Sequence, residues 1–203
     1  MIQYSLGEKP LGEYSAALKL TEVWYIVPSI LTAVIFPDLV NIKNSSDEKF
    51  NKGILNILSI TILPFIILSI FVSVYSDIII NIIFGADYKA ASSLLAVIIW
   101  SLPLYMFYAV TIKYFTTEHK PFSALIRPLI SLIILIISSY ILFKIYGIKG
   151  YAYGFIISFF ISYFLIDAFF RNSYKLFFIK IKSLYYPFIL IYRLIYSKKY
   201  HKI

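Results

Sequence analysis

Long segments with almost no charged residue constrain this chain more than any other feature of its sequence. Four are evident, each with at most one charge: residues 53–76, 90–113, 121–143 and 150–170. An α-helix needs about 20 apolar residues to cross the ~30 Å hydrocarbon core of a membrane. Charged residues make up only 14% of the chain, whereas soluble domains carry roughly 25%. The sequence therefore predicts an all-α integral membrane protein with four clear spans.

A fifth span is less regular, because only 15 uncharged residues separate Glu22 from Asp38. That distance is too short for a crossing. A helix that crosses here must begin near Glu13 and carry Lys19 and Glu22 to membrane depth or to its edge. No turn signal interrupts residues 13–40, so we predict one long helix over this range. With it, the chain becomes a five-helix bundle.

The distribution of Lys and Arg over the connections predicts the orientation of the bundle. The loops at 41–52 and 114–120 share a side with the C-terminal tail, and this side holds most of the 19 cations. The loop at 78–90 lies on the opposite side. By the positive-inside rule, the C-terminus is cytoplasmic and the N-terminus lies outside. We therefore divide the chain into a helical lobe, residues 1–173, and a basic, aromatic helix on the cytoplasmic membrane surface, residues 174–203.

The composition also excludes several classes of function. The chain has no cysteine, which excludes disulfides, thiol nucleophiles and cysteine-bound metals, and its two histidines, His119 and His201, are far apart. The net charge of +9 is explained by membrane orientation and not by nucleic-acid binding. No phosphate-binding glycine loop, HExxH or GxSxG motif is present. We expect neither enzymatic activity nor a cofactor.

Polar side chains on two of the predicted spans recur at helical spacing. On the first span they are Ser15, Lys19, Glu22, Tyr25, Ser29 and Thr32, and on the third Ser101, Tyr105, Tyr108 and Thr111. Polar groups are costly in lipid unless they face other protein or water, so the stripes indicate a central cavity. Three spans also carry an interior proline, which predicts bends around that cavity: Pro28, Pro64 and Pro103.

Structural alternatives remain open for the same residues. The hydroxyls of the stripes would bond back to their own helices, and the tyrosines would pack as ordinary aromatics. Lys19 and Glu22 would pair with each other near the interface. Arg127 would extend to the cytoplasmic headgroups. Asp167 precedes Arg171 by one turn, and we expect an interfacial ion pair between them.

Three stretches carry motifs that point to a family. Residues 6–39 contain a G-x-Y-S-A-A … E-x-W-Y-x-x-P helix, formed by Gly12, Tyr14, Ser15, Ala16, Ala17, Glu22, Trp24, Tyr25 and Pro28. Residues 82–100 contain F-G-x-x-Y-x-x-A … L … W, and Thr117-Glu118 is followed by His119 where an asparagine is usual. With the KLFFIKIKSL tail, these motifs resemble the Wzx-type O-antigen and polysaccharide flippases of the multidrug/oligosaccharidyl-lipid/polysaccharide exporter superfamily.

The resemblance implies two six-helix lobes that move polyprenyl-pyrophosphate-linked oligosaccharide across the bacterial inner membrane by alternating access. The five spans would be the last five of twelve, so the chain is expected to be a truncated C-terminal lobe. Expected partners are lipid-linked oligosaccharide, membrane lipids, a missing N-terminal lobe and other polysaccharide-assembly membrane proteins, but no nucleic acid.

The candidate cavity residues on this interpretation are of three kinds. Partners for the diphosphate are the cations Lys19, Lys113 and Arg127. Aromatic faces and hydroxyls for the sugars come from Tyr25, Ser29, Tyr105 and Tyr108. Coupling to H⁺ or Na⁺ is assigned to Glu22. The alternatives are a multidrug exporter of the same superfamily, a membrane glycan polymerase or ligase, and a nonfunctional fragment.

Overall fold

The structure is a computed structural model that describes the backbone of residues 7–200 and the side chains of residues 7–189. Within this range the chain forms nine α-helices: α1 Glu8–Trp24, α2 Ile26–Lys43, α3 Asp47–Val74, α4 Ser76–Phe84, α5 Lys89–Ile98, α6 Ser101–Thr117, α7 Pro121–Tyr146, α8 Ile148–Tyr163 and α9 Tyr174–Tyr200. Four helical segments, or five with one bent pair, are long and apolar enough to cross a membrane. The predicted all-α membrane bundle is confirmed.

The first span is a helical rod in which only Tyr25 separates α1 from α2. The rod runs for 36 residues, Glu8–Lys43, and extends beyond the predicted range at both ends. The interruption lies one turn before Pro28, which has no N–H to donate to the preceding turn. The helix is continuous past Leu20. Lys19 and Glu22 are therefore carried on the same rod as Tyr25 and Ser29.

The span predicted at 90–113 is bent. Ala86–Ile98 and Ser101–Thr117 together are long and apolar enough for one crossing. The chain bends by 47° between them. Pro103 cannot donate a hydrogen bond to the carbonyl of Ile99. That carbonyl instead accepts from the backbone N–H of Leu102 at 3.0 Å and from the hydroxyl of Ser69 at 3.2 Å. The bend agrees with the effect expected of a proline within a span.

The connection at 78–90 differs from the predicted loop, because most of it is helical. It contains α4, Ser76–Phe84, and a 3₁₀ turn, Ala86–Tyr88. Asp77 lies in the first turn of α4, where a carboxylate is favourable. Gly85 ends the helix with a φ of 84°, a conformation that glycine adopts without strain. The isoleucines between these two signals favour a helix over a solvated loop.

Helices α7 and α8 form a close hairpin. Gly147, with φ 58°, makes the turn between them. A Cβ on Gly154 would lie 2.7 Å from the backbone N of Ser139, and one on Gly150 would collide with the backbone of Leu142. The Gly150-x-x-x-Gly154 spacing therefore lets the two backbones approach, as small residues do between membrane helices.

The connections alternate between two ends of the bundle, as successive crossings require. At one end, Lys43, the last residue of α2, forms an ion pair with Glu118, which follows α6. At the other, Tyr14 packs against Tyr151 with ring centroids 6.4 Å apart. We call the first the basic end. A cavity of about 180 Å³ there is lined by four cations, Lys43, Lys120, Arg171 and Lys175, and by two acids, Asp47 and Glu118. This is the end that the positive-inside rule assigns to the cytoplasm.

The C-terminal helix α9 packs along α3 with its first half. Leu176 and Ile179 join the core cluster that contains Phe50 and Ile54. Lys180 is fully buried. The sequence placed all tail cations at the membrane surface, and for Lys180 this is wrong, because it lies on the same face of α9 as the apolar contacts. A surface location for the rest of the tail stays a prediction.

Candidate functional site

Lys19, Glu22 and Ser29 of the polar stripe are exposed on the outside of the α1–α2 rod, whereas Thr32 of the same stripe is buried. Ala17, on the face of the rod opposite Lys19, is also buried. A 36-residue helix is about 54 Å long, and the hydrocarbon core is ~30 Å thick. Glu22 is the fifteenth residue of the rod, so a hydrocarbon core centred on the rod includes it, and this depth stays a prediction. An ionisable side chain at that depth has to face other protein or water.

Lys19 and Glu22 do not neutralise each other. Among the described side chains, neither belongs to an ion pair. The alternative in which they pair near the interface is therefore not the arrangement in the structure. Ser29 fits the structural alternative better, because its hydroxyl donates to the carbonyl of Tyr25 at 2.8 Å although it lies on the exposed face.

Tyrosines from three helices gather beside this stripe. Tyr25 stacks on Tyr105, with ring centroids 4.1 Å apart and an interplanar angle of 6°. Its hydroxyl shares a hydrogen bond with Ser101. Tyr105 contacts Tyr108 at 5.5 Å, and Tyr108 contacts Tyr163 at 4.4 Å. The structure thus brings together three candidates that the sequence placed on two separate helices. All three are half-buried, so part of each ring is accessible.

Tyr163 is a member of this group that the sequence analysis missed. It continues a step of four residues along α8 from Phe155 through Phe159. Phe155 and Phe159 contact each other at 4.5 Å, and Phe159 contacts Tyr163 at 4.9 Å. Phe159 also contacts Tyr25 at 6.3 Å. The regular spacing was the available signal, but apolar aromatics in a span are usually read as packing.

Lys113 is placed apart from the tyrosines. It lies on α6 more than one turn beyond Tyr108, toward the basic end, and is half-buried. No carboxylate of the described residues lies within 4 Å of its ammonium group. Its contact with a diphosphate stays a prediction.

Arg127 lies in a buried ion cluster, 2% exposed. Its Nε donates to Oδ1 of Asp167 at 3.1 Å, and its Nη2 donates to the same oxygen. Lys180 donates to Oδ2 of Asp167 and to the carbonyl of Tyr163, both at 2.6 Å. The expected ion pair between Asp167 and Arg171 is wrong, and Arg127 does not extend to the headgroups. Asp167 pairs with Arg127 and Lys180 because tertiary packing brings these two cations closer to it than Arg171, its neighbour in sequence.

The cluster joins α7, the end of α8 and α9. Asp167 lies in the 3₁₀ turn Leu165–Ala168 and is 0% exposed, as is Lys180. The guanidinium of Arg127 lies over the ring of Phe115 at 4.3 Å, and the ammonium of Lys180 lies 5.7 Å from the ring of Phe107. Such contacts stabilise cations away from water. One carboxylate between two cations leaves one positive charge in excess.

Comparison with known proteins supports a general role for the chain. Residues 1–93 match the family model described as polysaccharide biosynthesis protein. No curated protein and no solved structure matches the chain. The matched range contains the α1–α2 rod with its polar stripe, α3 and α4. The match covers just under half of the chain, and with several apolar helices of spanning length it supports a membrane protein with a role in polysaccharide biosynthesis.

Proposed function

We propose that this chain forms one wall of the pathway by which a flippase moves polyprenyl-pyrophosphate-linked oligosaccharide across the inner membrane. The observation that carries the proposal is the exposure of Lys19 and Glu22 on the rod that also carries Tyr25 of the Tyr25–Tyr105 stack. We place both charges at the depth of the hydrocarbon, as the length of the rod predicts. A lipid-facing surface would not tolerate these charges. A polar pathway closed by a second lobe would accommodate them.

The chemistry of the exposed residues suits this ligand. The ammonium of Lys19 is a charge-assisted donor for a diphosphate. The tyrosine faces and hydroxyls offer sugars both apolar contact and hydrogen bonds. The polyprenyl chain would stay in lipid, so no covalent step is required. The proposed orientation places the basic end, and with it the C-terminus, in the cytoplasm.

The main alternative is an exporter of amphipathic cations. The buried ion cluster removes one argument against it, because Arg127 no longer adds positive charge to the pathway. Because Arg127 contacts Asp167 and not the polar stripe, it is not placed to bind a ligand in the pathway. Lys19 and Glu22 then remain as the one base and the one acid of the polar stripe. The preference for an anionic ligand therefore rests on Lys19, on Lys113 and on the family match.

A binding experiment distinguishes the two functions. The chain in nanodiscs would be titrated with a polyprenyl-pyrophosphate oligosaccharide and, separately, with a lipophilic cationic dye. We expect saturable binding of the oligosaccharide, weakened by Lys19→Gln and unchanged by Lys89→Gln, a matched change at an exposed lysine outside the stripe. Saturable binding of the dye alone would contradict the proposal. Equal effects of the two lysine variants would remove Lys19 from the site.

A further inference from the structure

A second cavity at the basic end is separate from the polar stripe. Its volume is about 320 Å³, and it lies between the first turns of α7 and the connection from α8 to α9. The polar groups along it are Ser123 and Arg127 from α7 and Arg171, Asn172 and Ser173 from the connection. None of these residues belongs to the α1–α2 rod or to the tyrosine group.

The cavity has an excess of positive charge. Arg127 uses Nε and Nη2 toward Asp167 and one Nη1 hydrogen toward the carbonyl of Ser123. A guanidinium has five N–H donors, so two remain for a ligand. Arg171 is exposed, and within the described part of the chain no carboxylate lies within 4 Å of it. Two arginines at one cavity are suited to the oxygens of a phosphate.

The rim of the cavity indicates that its phosphate comes from a lipid. Phe122 and Phe170 line the cavity and are 74% and 44% exposed. Phenylalanine is among the side chains that insert at the boundary between headgroups and acyl chains. On the same side of α7, Leu125 and Leu129 are 64% and 61% exposed, and they continue from the cavity toward the middle of the span. A free phosphate would make no use of this apolar track, whereas an acyl chain would cover it.

We propose that this cavity binds the phosphate of an anionic glycerophospholipid of the membrane, with its acyl chains along the outer face of α7. Arg127 and Arg171 hold the phosphate oxygens, and Ser123 and Asn172 supply neutral hydrogen-bonding groups. Basic pockets between membrane helices at the cytoplasmic side are suited to anionic headgroups. The site shares no residue with the tyrosine group or the polar stripe, so its test is separate from that of the proposed transport.

Retention of lipid by the intact chain tests the site. The chain would be reconstituted in bilayers of phosphatidylcholine and phosphatidylglycerol, released into detergent and examined by native mass spectrometry for bound lipid. We expect one phosphatidylglycerol to be retained in preference to phosphatidylcholine. Arg171→Gln should weaken this retention roughly tenfold, the effect of losing a charge-assisted hydrogen bond. Arg171 is exposed, so its substitution leaves the fold intact.

Two further variants separate a specific site from general attraction to a basic protein. Lys182→Gln removes the same charge from an exposed position on α9 outside this cavity, and it should retain the lipid as the unchanged chain does. Ile126→Trp fills the cavity without a change of charge and should abolish retention. Equal retention by the Arg171 and Lys182 variants would overturn the proposal. Retention of phosphatidylcholine at the same level, or displacement of the lipid by inorganic phosphate, would also overturn it.

Discussion

Asp167 and Lys180 lie 2.6 Å apart, carboxylate oxygen to ammonium nitrogen, with both side chains fully buried. The pair connects the 3₁₀ turn after α8 to α9, and Arg127 on α7 contacts the other carboxylate oxygen. Ion pairs of this kind contribute little net stability when intact, but removal of one partner leaves an uncompensated buried charge. Asp167 therefore determines whether three helices hold together at the basic end.

Asp167→Asn should strongly destabilise the fold, because Arg127 and Lys180 would remain buried without a counter-charge. We expect the free energy of unfolding in detergent to fall by about 3–5 kcal/mol, measured by denaturant titration. Asp87→Asn, the same change at an exposed position, should have little effect. The double variant Asp167→Asn, Lys180→Met should recover part of the loss. Equal stability of the two Asp→Asn variants would contradict a structural role for the cluster.

Gly154→Ala should separate α7 from α8. The added Cβ would meet the backbone of Ser139 at 2.7 Å, so one of the two helices has to move. We expect a loss of about 1–3 kcal/mol in the same unfolding measurement, as for other overpacked sites. Gly12→Ala is the matched control, because its Cβ would find its nearest neighbour, Tyr88, at 3.9 Å. If Gly154→Ala were as stable as Gly12→Ala, the close approach of α7 and α8 at Gly154 would be contradicted.

Tyr105→Ala should weaken binding of the lipid-linked oligosaccharide, since it removes the ring on which Tyr25 stacks. A stacked aromatic pair contributes about 1 kcal/mol, so the dissociation constant should rise roughly fivefold in a nanodisc titration. Tyr140→Ala, on the exposed side of α7, is the control. Tyr105→Phe retains the ring and should bind more tightly than the alanine variant. Identical affinities for all four proteins would exclude the tyrosine group from the ligand site.

Glu22→Gln should abolish coupling of transport to an ion gradient, because the amide cannot exchange a proton or bind Na⁺ as a carboxylate does. The measurement is oligosaccharide flipping by the assembled transporter in proteoliposomes, with and without an imposed gradient of each ion. Glu48→Gln changes an exposed acid at the basic end and should leave coupling unchanged. Unaltered gradient dependence in the Glu22 variant would remove this residue from the mechanism.

The sequence predicted the parts of this protein that depend on position along one helix. Hydrophobic length identified the spans, and the spacing of polar residues placed Lys19, Glu22, Tyr25 and Ser29 on one rod. Pro103 predicted the bend at 47° because a missing N–H acts locally. Residues 78–84 were predicted as part of a loop but are helical, since a short isoleucine-rich segment after Asp77 gives no strong periodic signal.

The partners of the buried charges could not be predicted in this way. Asp167 lies one turn from Arg171, 13 residues from Lys180 and 40 from Arg127, yet it pairs with the two distant cations. The spacing of four residues predicted a pair between Asp167 and Arg171. The role of Arg127 and the burial of Lys180 were therefore not predicted. The stacking of Tyr25 on Tyr105 likewise could not be predicted from the sequence of either helix alone.

The sequence by itself determined that the chain enters a membrane, where its helices cross and which residues share a helical face. These properties follow from the thickness of the hydrocarbon and the 3.6-residue period of a helix. Only the tertiary structure decided which charges are neutralised and which remain on the surface. That outcome depends on the packing of helices distant in sequence, since a buried charge takes the nearest counter-charge in space.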